Sequence, residues 1–211
     1  MQPTPSRAYG GRSADDRRAE RRSRFVDAAF TVFSTTGYAR SSVPQICAEA
    51  RLSSRQFYAD FSSREALLRE AYDQVNEAAR AAVTAAAAAS VSEPFQARVR
   101  VLVRAYLESV LSDPRRPRLA FVEVIGVSPE MEEHRKVQIS EWIDVLQSIF
   151  RSAVDRGEID DRDFRLTSTA LIGATNALVN LSTTASPALP VDVLVDELSR
   201  IAAASTLPPP S

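Results

Sequence analysis

The stretch Ser42–Phe61, SVPQICAEARLSSRQFYADF, followed directly by SSREAL, decides how the rest of the chain is read. Ser42 precedes Gln45, Ser53 precedes Gln56 and Ser62 precedes Glu65, each by three residues. In such a pair the hydroxyl accepts from an unpaired amide of a helix's first turn, and the Gln or Glu side chain reaches back to the residue before it. One match carries little weight. Three in one short stretch predict helix starts near Val43, Ser54 and Ser63. The first helix has room for only about two turns before Arg51–Leu52. Its apolar residues Val43, Ile46, Cys47 and Ala50 recur at spacings of three and four, and in the second helix Phe57 and Phe61 share a face. Arg55, Gln56 and Tyr58 lie off that face and are expected to be exposed.

A short helix, a tight turn and a second helix with a polar outer face describe a helix-turn-helix. Its second helix would enter the DNA major groove, with its first turns at the base edges. The bland alternative is a helical corner with a solvated face, and geometry alone does not separate the two. The whole-chain net charge of −1 gives no hint. Its distribution does: residues 1–64 hold 11 Arg, no Lys and 6 acids, a net of +5, and the remainder holds 15 basic and 21 acidic residues. A basic end on an acidic body suits one end meeting a polyanion.

With 45% hydrophobic and 25% charged residues over 211 positions, the chain has the composition of a globular protein with a real core. Cys47 is the single cysteine, which excludes an intramolecular disulfide; it is expected to be a buried packing residue. MQPTPSRAYGG has no apolar segment of signal-peptide type, and no apolar run reaches the length of a bilayer span. A cytoplasmic location without a membrane partner is the simplest expectation. There is one His, no metal-ligand cluster, no Gly-rich phosphate loop and no nucleophile motif. No catalytic residue, metal or cofactor is therefore expected, and an enzyme or carrier on a helical bundle is the weakest of the possible functions.

Periodicity predicts an all-α fold of about nine helices, without strands. The expected organisation is a mobile arm over 1–14, a three-helix helix-turn-helix domain over 15–64, a helical domain over 65–205 and a disordered tail over 206–211. Asp15 and Asp16 open a helix running to about Thr36, with Phe25, Ala29, Val32 and Phe33 as its stripe and Gly37 in the left-handed position past its end. Arg17, Arg18, Arg21 and Arg22 crowd its first half, either as a solvated face or, beside a helix-turn-helix, facing phosphate. Arg7 or Arg12 of the arm would suit a minor groove. A long helix from Ser63 continues into the alanine-rich Ala78–Ala89. Then come a helix opening at Glu93–Pro94 with Pro in its first turn, a short apolar helix over Arg118–Gly126, and a long helix from Ser128–Pro129 that Gly157 stops. The segment Asp163–Thr183 is apolar on more than one side, and Ala170, Gly173, Ala174 and Ala177 let a neighbour approach. Pro187 and Pro190 bracket a loop before the last helix, Val191–Ala204. The surplus apolar surface of these last two helices predicts a two-fold dimer with a four-helix interface.

The run from Ser42 to Leu68 resembles the DNA-binding domain of TetR-family transcriptional regulators. The family's serine pair, Ile-type helix, Ser-led second helix, aromatic–Tyr pair, Phe and Ser-Lys-Glu-x-Leu read here as Ser41–Ser42, Ile46, Leu52–Ser53, Phe57–Tyr58, Phe61 and Ser63–Arg64–Glu65–Ala66–Leu67. Gly37–Tyr38 also fits, and the likeness is specific over about residues 20–70. It implies a ligand-responsive regulator, most simply a repressor, that binds a near-palindromic double-stranded DNA operator as a homodimer and is released by a small-molecule effector. By position, Ser42, Tyr58 and Arg64 correspond to phosphate contacts, and Ser53, Ser54, Arg55 and Gln56 to the groove-facing set, where Arg suits guanine and Gln adenine. The family's ligand pocket lies in the later helices, where Tyr106, Phe121, Trp142, Phe150 and Asn176 are candidates and Met131 and His134 would sit at an entrance; plain core packing is the competing role for each. With no charge cluster there, the effector is expected to be uncharged and mostly apolar. Three positions depart from the family: Arg51 replaces a turn Gly, Arg55 replaces a small residue, and Asp60 stands where His is common. An acid at 60 should repel phosphate unless Arg55 or Arg64 pairs with it, which leaves open an interaction module that has lost DNA binding.

Overall fold

A computed structural model describes residues 13–185 and 189–206; Arg7, Arg12 and Pro187 lie outside them, as does all of the expected tail except Thr206. Every described element is helical: α1 (Ala14–Thr36), α2 (Val43–Ala50), α3 (Ser54–Asp60), α4 (Arg64–Ala89), α5 (Phe95–Leu111), α6 (Arg115–Arg118), a π turn (Leu119–Glu123), α7 (Pro129–Asp155), α8 (Arg165–Thr184) and α9 (Val191–Ala204). Five of the described helices, α1 to α4 and α7, begin where a serine hydroxyl caps them. Ser13 and Asp16 exchange reciprocal bonds at the start of α1 (2.9 and 3.0 Å), so the helix opens just before the expected Asp15. Ser42 caps α2, and Ser53 with Gln56 forms a full capping box on α3. At the third start Ser63, not Ser62, is the cap, accepting from the Ala66 amide at 3.0 Å. Phe61 must reach the core in extended conformation, and Ser62 is taken up by the bend after it. Glu65 accepts instead from the Ser128 hydroxyl at 2.7 Å, joining α4 to the start of α7.

Three further expectations are corrected. The short helix expected over Arg118–Gly126 begins earlier, because the Asp113 carboxylate takes the Arg115 amide at 2.9 Å and starts α6 directly after Pro114. It then widens into the π turn. Pro94 stands just before α5 rather than within its first turn. Gly37 has positive φ (87°) but an extended ψ of 145°, a region other than the left-handed helix and open to little but glycine.

The N-terminal head is α1 to α3, closed on the first turns of α4. Phe25, Phe57 and Phe61 meet at its centre, with Phe25 edge-on to both others at 5.4 and 6.0 Å. In the body α4 packs on α5, α5 on α9, and α7 and α9 on α8. One continuous core runs from Phe25 to Leu198, and a second, smaller one gathers Phe95, Phe150 and Phe164. Beside the second, the buried Arg98 grips Glu158 with two bonds (2.9 and 2.7 Å), which holds that carboxyl down to about 2.

Asp60 closes the head on itself. Its side chain is fully buried, and its carboxylate accepts from Arg21 at 2.5 and 3.0 Å and from Arg18 at 3.2 Å. Arg22 donates to the Asp60 carbonyl at 2.7 Å and to Glu70 at 2.8 Å. The expected partners, Arg55 and Arg64, are not the ones used: Asp60 ends α3 on the side that faces α1.

Two outcomes are expected. Arg51 holds a left-handed conformation (φ 53°, ψ 45°) that its Cβ disfavours. Arg51→Gly should therefore stabilise the fold by about 0.5–1 kcal/mol, raising the melting temperature by about 2 °C in a calorimetric scan. The Asp60 carboxyl sits below its ordinary value, chiefly through the Arg21 hydrogen bonds, with burial opposing. Its contribution is complete above the usual carboxylate value of about 4 and is lost as pH falls through the depressed value. Asp60→Asn should cost about 1–2 kcal/mol in urea unfolding at neutral pH, a charge-assisted hydrogen bond discounted for the exposed Arg18, and the deficit should vanish in acid.

Candidate nucleic-acid interface and ligand cavity

The outer face of α3 carries Ser53, Ser54, Arg55 and Gln56 exposed, with Tyr58 61% exposed and Phe57 fully buried opposite them. The capping box explains how a seven-residue helix holds this register. It also constrains Gln56, whose side-chain oxygen accepts from the Ser53 amide and hydroxyl, both at 2.9 Å. Gln56 thus presents its amide NH₂ outward rather than the full bidentate pair. Ser42 lies half-buried at the start of α2, its hydroxyl 3.0 Å from Gln45. Arg64 is half-buried beside this face, but its guanidinium binds the Ser41 carbonyl and hydroxyl and stacks 4.2 Å over the Tyr38 ring. It braces the turn before α2. Arg21 and Arg22 are likewise engaged within the head, so of the four arginines crowding α1 only Arg17 and Arg18 are exposed. The face is cationic and polar, and the Asp60 carboxylate lies beneath it, paired with Arg18 and Arg21.

The body holds a partly open cavity of about 330 Å³ between α4, α5, the π turn, α7, α8 and α9. Tyr106, Phe121, Trp142, Phe150 and Asn176 all line it. Tyr106 meets Trp142 edge-on at 5.2 Å, and the indole N–H donates to Asn76 at 2.9 Å. Burial pushes the Tyr106 hydroxyl far above its ordinary pKa and raises that of Tyr72 as well. Neither will ionise near neutrality; both remain neutral polar points in an apolar wall. Sequence reasoning missed Tyr72, Asn76 and Arg135. The first two fall with Val75, Ala79 and Val83 on one stripe of α4, and an Asn within a buried stripe was the available signal. Arg135 is the one charged side chain in the lining; it pairs with Glu132 at 2.6 Å, and its Nε is buried without a hydrogen-bond partner among the described residues.

Met131 and His134 do not line the cavity. Met131 is fully buried in the main core, and the His134 ring lies 2.6 Å from Asp73. Burial raises the Asp73 carboxyl, against the pull of His134. Among the described residues no cluster of three or more His, Cys, Asp or Glu is placed to hold a metal ion, and no helix is long and apolar enough to cross a membrane.

Comparison with known proteins fits this geometry. Residues 25–71 match the model of bacterial regulatory proteins of the tetR family, and residues 92–180 match that of the tetracyclin repressor-like C-terminal domain. No curated protein matches the chain in sequence. Among solved structures, the fatty acid degradation regulator FadR from Bacillus halodurans is 16% identical with a TM-score of 0.75, over 86% of this chain and 94% of that one. FadR from Bacillus subtilis, in complex with stearoyl-CoA, is 16% identical with a TM-score of 0.74, over 85% and 96%. A TetR-family transcriptional regulator from Syntrophomonas wolfei is 12% identical with a TM-score of 0.79, over 91% and 97%. Head and body match models of one family in their expected order and together cover more than half of the chain, which therefore belongs to the tetR family of bacterial regulatory proteins.

Proposed function

We propose that the protein is a ligand-responsive repressor that binds a near-palindromic operator as a homodimer and lets go when an apolar effector enters the body. One observation carries the reading: an exposed polar helix face on a basic head and a largely apolar cavity in the body occur in the same chain. Arg55 is the main base-reading group, aided by Ser53, Ser54 and the Gln56 amide, while Ser42 and Tyr58 meet phosphate. Arg64 acts mainly by holding the turn that presents Ser42. The effector is an elongated, mostly apolar molecule, and the complex of Bacillus subtilis FadR with stearoyl-CoA supports a long-chain acyl group as its class. Asp60, the feature that favoured a module without DNA binding, is neutralised by Arg18 and Arg21 and no longer argues for it.

The dimer follows from α8. Leu166, Ala170, Gly173, Ala177 and Leu181 are exposed and fall on one side of the helix. A Cβ at Gly173 would meet nothing within 4 Å, so nothing within the chain calls for glycine at this position. A second copy packed against this stripe gives it a reason, and its two-fold axis would set the α3 helices about 34–36 Å, or a multiple of that repeat, apart.

Arg55→Ala should lower affinity for a selected operator duplex by about 1–3 kcal/mol and relax its sequence preference, whereas Tyr58→Phe should weaken binding to all duplexes evenly. Competition between selected and random duplexes at fixed salt reads both; an Arg55 variant with unaltered operator choice refutes the base-reading role. Gly173→Arg should leave helicity unchanged and shift the protein to monomer in sedimentation velocity. A variant that stays dimeric places the interface elsewhere.

A further inference from the structure

The segment joining α5 to α7 touches both halves of the molecule. On its inner side, Ala120 and Phe121 of the π turn and Ile125 beyond it line the cavity. On its outer side stands Glu123, with only 12% of its side chain exposed. One carboxylate oxygen accepts from the backbone N–H of Tyr38 at 2.7 Å, and the other accepts from Arg118 at 3.1 Å. Tyr38 lies in the turn that leads from α1 into α2. The approach is close, since a Cβ on Gly37 would lie 3.4 Å from the same carboxylate. At the head of the segment, Arg115 reaches α1 through Asp27 and Thr31, each at 2.8 Å.

A π turn is wider than an α turn and holds one extra residue. Relaxing it to α geometry removes that residue from the register, which rotates the residues C-terminal to it by about 100° about the helix axis. Glu123 is the last residue of the turn, so its carboxylate swings most. Bulk pressing outward on Ala120 and Phe121 is the push that would drive such a change. Without Glu123, the Tyr38 amide loses its acceptor at a part-buried site, a cost the corner avoids only by moving.

We propose that Glu123 couples the cavity to the head: filling the cavity displaces the π turn, withdraws the carboxylate from Tyr38 and lets the α1–α2 corner, and α3 with it, re-seat. The proposal deepens the reading of the cavity as an effector site and rests on it. Glu123 is a positioning residue and touches neither DNA nor effector. The effector must favour the displaced state, and the coupling is reciprocal.

The test uses the full chain, with stearoyl-CoA as probe. Binding is followed by the fluorescence of Trp142, the chain's single tryptophan, and DNA affinity by anisotropy of a labelled duplex enriched from a random pool by the wild type. Wild type and Glu123→Gln should bind stearoyl-CoA with the same midpoint, and Glu123→Ala, relieved of the contact that opposes the displaced state, at a lower one. The probe should lower duplex affinity at least about tenfold in wild type and in Glu123→Gln, which keeps an acceptor, but less than about threefold in Glu123→Ala. A full loss in Glu123→Ala overturns the relay. A wild type that binds no duplex, or ignores stearoyl-CoA, defeats the proposed function or its ligand class instead, and the relay is then judged without ligand. Ala120→Phe, or Ala120→Val should the larger side chain unfold the body, fills the cavity from the π turn. Hydrogen exchange at the Tyr38 amide should quicken about tenfold in it while α5 stays protected. Unchanged protection at Tyr38 overturns the proposal.

Discussion

The ring of Phe57, enclosed edge-on by Phe25 and packed beside Phe61, holds in place a helix that could not stand alone. The α3 helix has seven residues, and isolated helices shorter than about 12–15 residues are marginal in water. Its stability therefore comes from outside: from one buried face, from the Ser53–Gln56 box at its start and from the clamp on Asp60 at its end. Because that face and those ends carry most of the burden, the opposite face is left largely free, with the Tyr58 ring adding an edge-on contact to Phe57 at 5.3 Å. Arg55 can be chosen for what it meets rather than for what it supports. The same division explains why Gln56 belongs partly to each side, since its oxygen serves the cap and its amide nitrogen points to solvent.

Charge in the head is arranged on the same principle. An acid at the C-terminal end of a helix is disfavoured by the helix dipole. Asp60 is tolerated there because Arg21 and Arg18 meet its carboxylate while Arg22 satisfies its carbonyl and leans over the Phe61 ring at 4.4 Å. Some of the positive charge counted at the N-terminal end is thus used in closing α1 against α3. The field left for a polyanion comes from the exposed arginines of the head, Arg17, Arg24, Arg40, Arg51 and Arg55, with the outer part of Arg18. Net charge per segment gives the sign of a surface, but pairing inside the segment sets its strength.

Most of the helices were legible in the sequence because each buries one side and opens at a hydroxyl or a proline; α9 runs over the expected residues. The failures share a cause. Ser62 and Ser63 are both competent caps, and only the need of Phe61 to reach the core chooses between them. Asp60 and its partners lie 39 and 42 residues apart, so the sequence shows an awkward acid without its remedy. The π turn has no local signature, since its widening answers to what packs on either side. The aromatics expected at a pocket, Tyr106, Phe121, Trp142 and Phe150, fall on the wall of the body's cavity. The rotation of α7, which turns Met131 into the core and His134 toward Asp73, depends on its packing against α4 and could not be read from α7 itself.

The two halves meet mechanically as well as in sequence. The α4 helix has 26 residues, a rod of about 39 Å at the usual rise. At its first residue Arg64 is pinned on Ser41 in the head; further along, Tyr72 to Val83 form a wall of the cavity. Past Val83 its side chains are chiefly alanine, which keeps the rod helical while filling little space. A cavity costs a fold the contacts its lining does not make, and that cost is best placed where no short helix depends on it. Here it lies one long helix away from α3, in contact with the head chiefly through that rod and through the α6–π segment on the other side. A body that can be altered at one end without dissolving the head at the other needs that separation, and the consequence is that any message between them must pass through few contacts.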